Sequence, residues 1–378
     1  MKLLEVVAGE ESSEAALEVA RATGEAMQRE VIDAFDGPGF LVNRCNRPFG
    51  LEGMRIVQER RATIEEVDRI CRMAGGFRMG PFELSDLVGV DTGFSVSESF
   101  ARLSYGEPRW RPSLLQARMV AAGRHGRKTG KGWYEYAEDG SYRDEDPEPP
   151  APGGGDGRLL VVAGTLALAG ELLEAAADAG WDARTQEEAE GEVPALIVDC
   201  GADPDGPPLQ GGPQLILCAE GSLAALDLGG SAAGFHALPP FGESRLVELT
   251  RGPETSDATA QAAEELFASL GKVTQWVGDA PGLVLGRIVC QVINECAFAL
   301  GEGVGTAEDI DTGMRRGMNY PRGPMEWADA IGLDHVLGVL DGLWEEYREE
   351  RYRAAPEIRR RVLTGRLGAP TGSGFISA

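Results

Sequence analysis

Histidine, lysine and paired cysteines are what this sequence has least of. Three histidines (His125, His236, His335) and six cysteines (Cys45, Cys71, Cys200, Cys218, Cys290, Cys296) are scattered over 378 residues without CxxC spacing. A structural zinc site is therefore not expected, and the cysteines read as small buried hydrophobes of a reducing compartment. Only four lysines occur (Lys2, Lys128, Lys131, Lys272), so nearly all cationic charge is arginine. The formal net charge of −25 argues against nucleic acid or an anionic membrane surface as a partner. No apolar run approaches the roughly 20 residues of a membrane span, and residues 1–30 lack a signal-peptide pattern, so a cytoplasmic protein is expected. Hydrophobic residues make up 43% and charged residues 26%, ordinary values for a globular chain whose length suits two or three domains.

What the sequence does have is a repeat of itself. Asp36-Gly-Pro-Gly39 leads through Asn43, Arg44 and Glu52 to Gly80-Pro81-Phe82-Glu83, Asp86, Gly89 and Asp91. Asp279-Ala-Pro-Gly282 leads through Arg287 and Glu295 to Gly323-Pro324-Met325-Glu326, Asp329, Gly332 and Asp334, always 243 positions later. A gapless register of this length signals duplication. Thr63-Ile-Glu-Glu66 fits a helix capping box, and Thr306-Ala-Glu-Asp309 stands at the matching place. Copy two closes at Gly365–Phe375, aligned with Gly123–Trp133 at an offset of 242.

The expected fold class is mixed: two homologous all-α domains separated by a small degenerate Rossmann-like α/β domain. Residues 1–35 read as strand–helix–strand, too small to bury its apolar faces alone, so the chain is expected to start in mid-domain. Residues 36–136 form helical copy one. Residues 137–157, acidic and then rich in proline and glycine, read as a linker with almost nothing to bury. Residues 158–278 alternate strands and helices as a parallel α/β layer does, and 279–378 form helical copy two. A dinucleotide loop needs G-x-G-x-x-G after its first strand. Here Gly164-Thr-Leu-Ala-Leu-Ala-Gly170 lacks the middle glycine and puts Leu166 where phosphate must approach, so a vestigial scaffold is expected.

His236 and Glu248 form the sharpest chemical pair, because a proton-shuttling histidine needs a carboxylate to fix its tautomer and hold its imidazolium form. The counterpart of Glu248 is Glu5; the counterpart of His236 would fall before Met1.

The stretches MKLLEVV, DGPGFLVNR, GPFELSDLVGVDTG and GRKTGKGWYEY resemble the L-3-hydroxyacyl-CoA dehydrogenase family, in which a Rossmann domain precedes a helical C-terminal domain. The resemblance covers residues 1–136 closely and 245–375 as a diverged copy, as in long bacterial members with two helical domains, and implies that residues 1–35 are the tail end of a missing dinucleotide-binding domain. It implies NAD-dependent oxidation of L-3-hydroxyacyl-CoA to 3-ketoacyl-CoA, in fatty-acid β-oxidation or aromatic or hydroxybutyrate catabolism. It also implies roles. Glu5 would orient the catalytic histidine, Asn43 would contact substrate, and Lys128 would reach the cofactor. His236 and Glu248 would be the dyad of copy two, where Gly286 replaces Asn43 and Pro370 replaces Lys128. The alternatives are an exposed strand carboxylate for Glu5, a helix-start hydrogen bonder for Asn43 and a solvated lysine for Lys128. NAD would be held mainly by a domain absent from this chain, on a separate Rossmann polypeptide. The paired helical domains would form an intrachain pseudo-dimer or a homodimer around an acyl-CoA site. The competing expectation is a catalytically inactive scaffold.

Overall fold

A computed structural model describes residues 2–201 and 211–376. β1 (Leu3–Ala8), α1 (Glu14–Ala26) and β2 (Glu30–Phe35) open the chain. Copy one follows as α2 (Val42–Cys45), α3 (Arg47–Gln58), α4 (Ile64–Met73), α5 (Pro81–Val88), α6 (Val90–Leu103) and α7 (Leu114–Ala121). The insert contains β3 (Leu159–Ala163), α8 (Ala167–Asp178), β4 (Asp182–Thr185), β5 (Leu196–Asp199), β6 (Gln214–Leu217), α9 (Leu223–Leu226) and β7 (Ala233–His236). Then come β8 (Leu246–Arg251), α10 (Asp257–Ser269) and β9 (Val273–Trp276), and copy two as α11 (Leu285–Gly301), α12 (Ala307–Gly317), α13 (Pro324–Ile331), α14 (Leu333–Tyr347) and α15 (Pro356–Leu363).

The repeat is visible atom by atom. Asp68 accepts from the amides of Phe82 and Glu83, and Asp311 accepts from Met325 and Glu326. Asp86 accepts from Trp133 and Tyr134, and Asp329 from Phe375 and Ile376. These carboxylates thus tie each helical domain together by satisfying amides that would otherwise be orphaned at helix starts and turns. The match extends to the first strands: β1 pairs in parallel with β2 from Leu3↔Glu30, and β8 with β9 from Leu246↔Val273. One difference has a plain cause. α11 is continuous, whereas its counterpart is split into α2 and α3, because Pro48 stands where copy two has Gln291 and cannot donate to the carbonyl four residues back.

Seven strands form one sheet in the order β4-β3-β5-β6-β7-β8-β9, parallel throughout except for β7 against β8. The insert and the strands preceding copy two are therefore one layer. β1 and β2, by contrast, form a two-stranded sheet alone. That pair buries its apolar face on the other copy's α12: a Cβ at Gly313 would stand 3.1 Å from Ile32 Cδ1, and one at Gly317 would stand 3.0 Å from Leu3 Cδ2.

The two copies clasp each other reciprocally. Arg44 pairs with Glu295 and Glu302, each at 2.8 Å, while Arg287 pairs with Glu52 at 2.9 Å and Glu59 at 2.6 Å. Phe35 N donates to Val304 O at 3.1 Å, and Gly278 N to Arg61 O at 2.6 Å. In both cases residue i of one copy meets j of the other and j meets i, the signature of an isologous two-fold interface folded into one chain.

The segment 137–157 corrects an expectation. It has neither helix nor strand, yet it is not a loose tether. Tyr142 Oη and Arg143 Nε donate to the buried Glu83, Arg72 Nε donates to Asp146 at 2.8 Å, and Gly153 N donates to Ser269 O at 2.8 Å. Ion pairs, hydrogen bonds and the packing of Tyr142 against Tyr134 and Tyr136 fasten it, so composition alone does not reveal the attachment.

Arg287 is fully buried. Replacing one partner of a buried pair leaves the other charge uncompensated. Arg287→Met is expected to lower the unfolding free energy by about 3–5 kcal/mol in urea titration. Arg44→Met, its partner by symmetry, is expected to destabilise in the same direction.

Candidate functional site

Glu5 sits on β1 with its carboxylate at the entrance of α2. Its Oε1 accepts from Leu41 N and Val42 N, both at 3.0 Å. These are first-turn amides with no intrahelical acceptor, and a carboxylate there also meets the positive end of the helix dipole. Oε2 of the half-buried Glu5 carries no hydrogen bond among the described residues. Asn43, the next residue of the helix, is exposed. Lys128 Nζ lies 2.6 Å from Asp91 Oδ1 and is half exposed. The Lys128 hydrogen bond leads the causes holding the Asp91 carboxyl below its usual range. Glu5 and Asn43 thus share the α2 entrance, and Lys128 stands at the start of α6, where a Cβ at Gly89 would meet its Nζ at 2.9 Å.

Copy two repeats the frame with a different interior. Glu248 accepts from Val284 N at 2.8 Å and Leu285 N at 3.2 Å, as Glu5 does in copy one. His236 is its cross-strand partner on β7. No hydrogen bond joins the two side chains, however. His236 Nε2 instead lies 3.1 Å from His335 Nε2, the rings edge to face with centroids 5.2 Å apart. Both rings are buried and both Nδ1 atoms lack a partner among the described residues. Burial pushes His236 well below its ordinary range, with His335 adding to the effect, and burial brings His335 down to about 4. Both are therefore neutral near pH 7, one ring donating to the other. Burial likewise pushes the Glu248 carboxyl up to about 8, against the opposing pull of its two amide bonds. Sequence reasoning, which followed residues retained between copies, missed His335. It has no counterpart in copy one, where Thr92 holds its place.

Copy two is also closed sterically. A Cβ at Gly286, the position of Asn43, would stand 2.1 Å from His236 Cε1, so ring and asparagine exclude each other here. A Cβ at Gly342 would stand 2.8 Å from Glu220 O, so the loop after β6 lies directly on α14. In the insert, a Cβ at Gly164 would fall 2.2 Å from Cys200 O, while Leu166 is 6% exposed and packs beside Gly201. The freedom at Gly164 serves a neighbouring strand end, and Leu166 fills the turn. These residues do not fit a dinucleotide.

The corresponding face of copy one is bare. Phe40 and Val88 are 40% and 56% exposed, whereas Leu283 and Ile331, their counterparts, are 1% and 0% exposed. Leu283 is covered by Cys218, Leu223 and Ala232 of the insert. Leu87 extends the bare patch at 48% exposure.

Comparison with known proteins gives the same frame a family. The family model described as "3-hydroxyacyl-CoA dehydrogenase, C-terminal domain" matches residues 39–136 and again 282–378. The chain belongs to the 3-hydroxyacyl-CoA dehydrogenase family of oxidoreductases. It is 30% identical over 365 residues to the 3-hydroxyadipyl-CoA dehydrogenase of Escherichia coli K12, covering 96% of this chain and 67% of that protein. It is 41% identical over 152 residues to the 3-hydroxybutyryl-CoA dehydrogenase of Bradyrhizobium diazoefficiens, covering 40% of this chain and 52% of that one. The crystal structure of a 3-hydroxybutyryl-CoA dehydrogenase from E. coli K12 superimposes with a TM-score of 0.76 at 28% identity, covering 96% of this chain and 68% of that chain. The matches thus span 67%, 52% and 68% of the relatives' own lengths. No described helix is long and apolar enough to cross a membrane.

Two outcomes test this geometry. Gly286→Asn is expected to destabilise copy two by at least about 1–3 kcal/mol, read as a lower thermal midpoint, because the added side chain has no room beside His236. His335 has a folded-state value of about 4 against an ordinary 6.5, so the unfolded chain binds its proton more readily. Its contribution to stability is intact above about 6.5 and is lost as pH falls toward 4. His335→Gln should make the pH dependence of urea stability shallower on the acid side in that window.

Proposed function

We propose that this chain supplies the substrate-facing part of an NAD-dependent L-3-hydroxyacyl-CoA dehydrogenase, with one working site, in copy one. One observation carries the reading: the copy-two face lies under a Rossmann-like insert, while the equivalent face of copy one is bare and retains Glu5, Asn43 and Lys128. A dinucleotide-binding module seated on Phe40, Leu87 and Val88 would complete that site, on the same polypeptide or a separate one. The Rossmann-like insert of this chain does not fit that role.

In this arrangement Glu5 uses Oε1 to hold the α2 entrance and leaves Oε2 for the ring N–H of a histidine on the module. A carboxylate there fixes the imidazole tautomer and stabilises the imidazolium formed when the C3 hydroxyl gives up its proton. Asn43, exposed beside it, holds the substrate oxygen. Lys128 releases Asp91 to meet the anionic dinucleotide. When bound, NAD supplies the hydride acceptor for oxidation at C3. Acyl groups from butyryl to adipyl, those named for the relatives, define the substrate range. Copy two serves as the structural half: Glu248 holds the α11 entrance, and His236 packs on His335. The scaffold reading is favoured for copy two alone, by the exclusion between Gly286 and His236.

The chain alone is expected to show no micromolar NAD affinity in calorimetric titration. With a family dinucleotide-binding module added, it is expected to oxidise 3-hydroxybutyryl-CoA, and Glu5→Gln is expected to reduce kcat by about 10²–10⁴-fold. His236→Gln in the same assembly is expected to retain most activity. The opposite pattern, with Glu5→Gln silent and His236→Gln inactive, would move the site to copy two.

A further inference from the structure

Arg47 stands one helical turn beyond Asn43, is half-buried, and differs from the other arginines withdrawn from solvent. Arg44, Arg72 and Arg287 each meet carboxylates, and in each the carboxylates outweigh burial and raise the guanidinium. Arg47 makes no ion pair among the described residues, in a chain with 61 acidic side chains. Its Nε donates to the backbone oxygen of Asn43 at 3.2 Å, and its guanidinium lies 5.0 Å from the centroid of the Phe100 ring. That same ring abuts the Asp36–Gly39 turn: a Cβ at Gly39 would stand 2.0 Å from Phe100 Cζ. The guanidinium is thus drawn back along the helix toward the site mouth, stacked on an aromatic face, with donors still open. Burial without a carboxylate pulls it down to about 10, with Tyr320 opposing. In copy two the position is Cys290, buried inside α11, so the cation belongs to copy one alone.

A half-buried cation without an anion is an unfavourable feature unless a ligand brings the anion. Its planar fork suits a carboxylate, bound through two parallel hydrogen bonds. The reacting carbon of a 3-hydroxyacyl chain lies at Asn43 in the reading above, and one helical turn is about 5.4 Å along the axis. A carboxylate a few bonds beyond C3 reaches that distance. The phosphates of CoA lie at the far end of the pantetheine arm, on the other side of the thioester.

We propose that Arg47 binds the distal carboxylate of a dicarboxylic acyl-CoA and so selects ω-carboxylated 3-hydroxyacyl substrates over plain acyl chains. This rests on the acyl-CoA reading of copy one.

The test compares adipyl-CoA with hexanoyl-CoA, of equal chain length and differing in the terminal group, by calorimetric titration of the chain with and without a dinucleotide-binding module. Wild type is expected to prefer adipyl-CoA. R47M is expected to reduce that preference on the order of 100-fold, and R47K to restore part of it. The ratio of kcat/KM for 3-hydroxyadipyl-CoA over 3-hydroxyhexanoyl-CoA should fall in parallel. Equal losses for both thioesters would overturn the proposal and assign Arg47 to the CoA phosphates or to folding, which the thermal midpoint of R47M separates. An unchanged preference would overturn it outright. If wild type binds neither thioester, the acyl-CoA reading fails and takes this inference with it; if wild type binds both and R47M keeps the preference, only the inference fails.

Discussion

Four reciprocal ion pairs between the two copies decide how this chain is arranged. Arg287 is fully buried and gains Glu52, Glu59 and the Tyr352 hydroxyl; Arg44 gains Glu295 and Glu302. Each pair alone is a doubtful source of net stability, because desolvating the charges offsets much of their attraction. Their effect is on register. Sliding α3 past α11 by one turn would strand both arginines and both inner glutamates, so alternative packings are penalised heavily. With the helices fixed, β1 and β2 settle on α12, and the strand ends of each copy reach the opposite helical domain.

On that symmetric frame the two copies have diverged. Both glutamates, Glu5 and Glu248, accept from the amides that open the following helix, so this bond is required by the architecture itself. What differs is the space around it. In copy one the second oxygen is unengaged and the neighbouring face is open. In copy two, His236 occupies the volume a side chain at Gly286 would need, His335 meets its ring, and the insert covers Leu283.

Much of this was legible in the residues. The constant offset identified the duplication, and the aspartates, prolines and capping threonines that carry it turned out to anchor helix starts and closing turns. The altered glycine loop was legible because Leu166 has an obvious steric meaning. Three features were not. The reciprocal ion pairs involve residues conspicuous in both copies, yet a repeat alone does not say that Arg44 reaches copy two rather than its own Glu52. The pairing of His236 with Glu248 looked chemical because a proton-shuttling histidine needs a carboxylate, but backbone amides compete for that carboxylate. Arg47 was overlooked since attention to residues shared between copies passes over one that a single copy possesses.

The fusion of the two copies alters how the assembly responds to dilution. Two separate subunits meeting through the same arginine–glutamate clasp would part below their dissociation constant. Here the segment 137–157 and the insert tether the halves, so each faces the other at an effective concentration in the millimolar range or above, whatever the amount of protein present. Folding of the clasp is then first order, independent of expression level. One half is also released from any need to keep its own chemistry. A homodimer must build two identical sites from one sequence; a fused pair can devote one copy to support and let the other work.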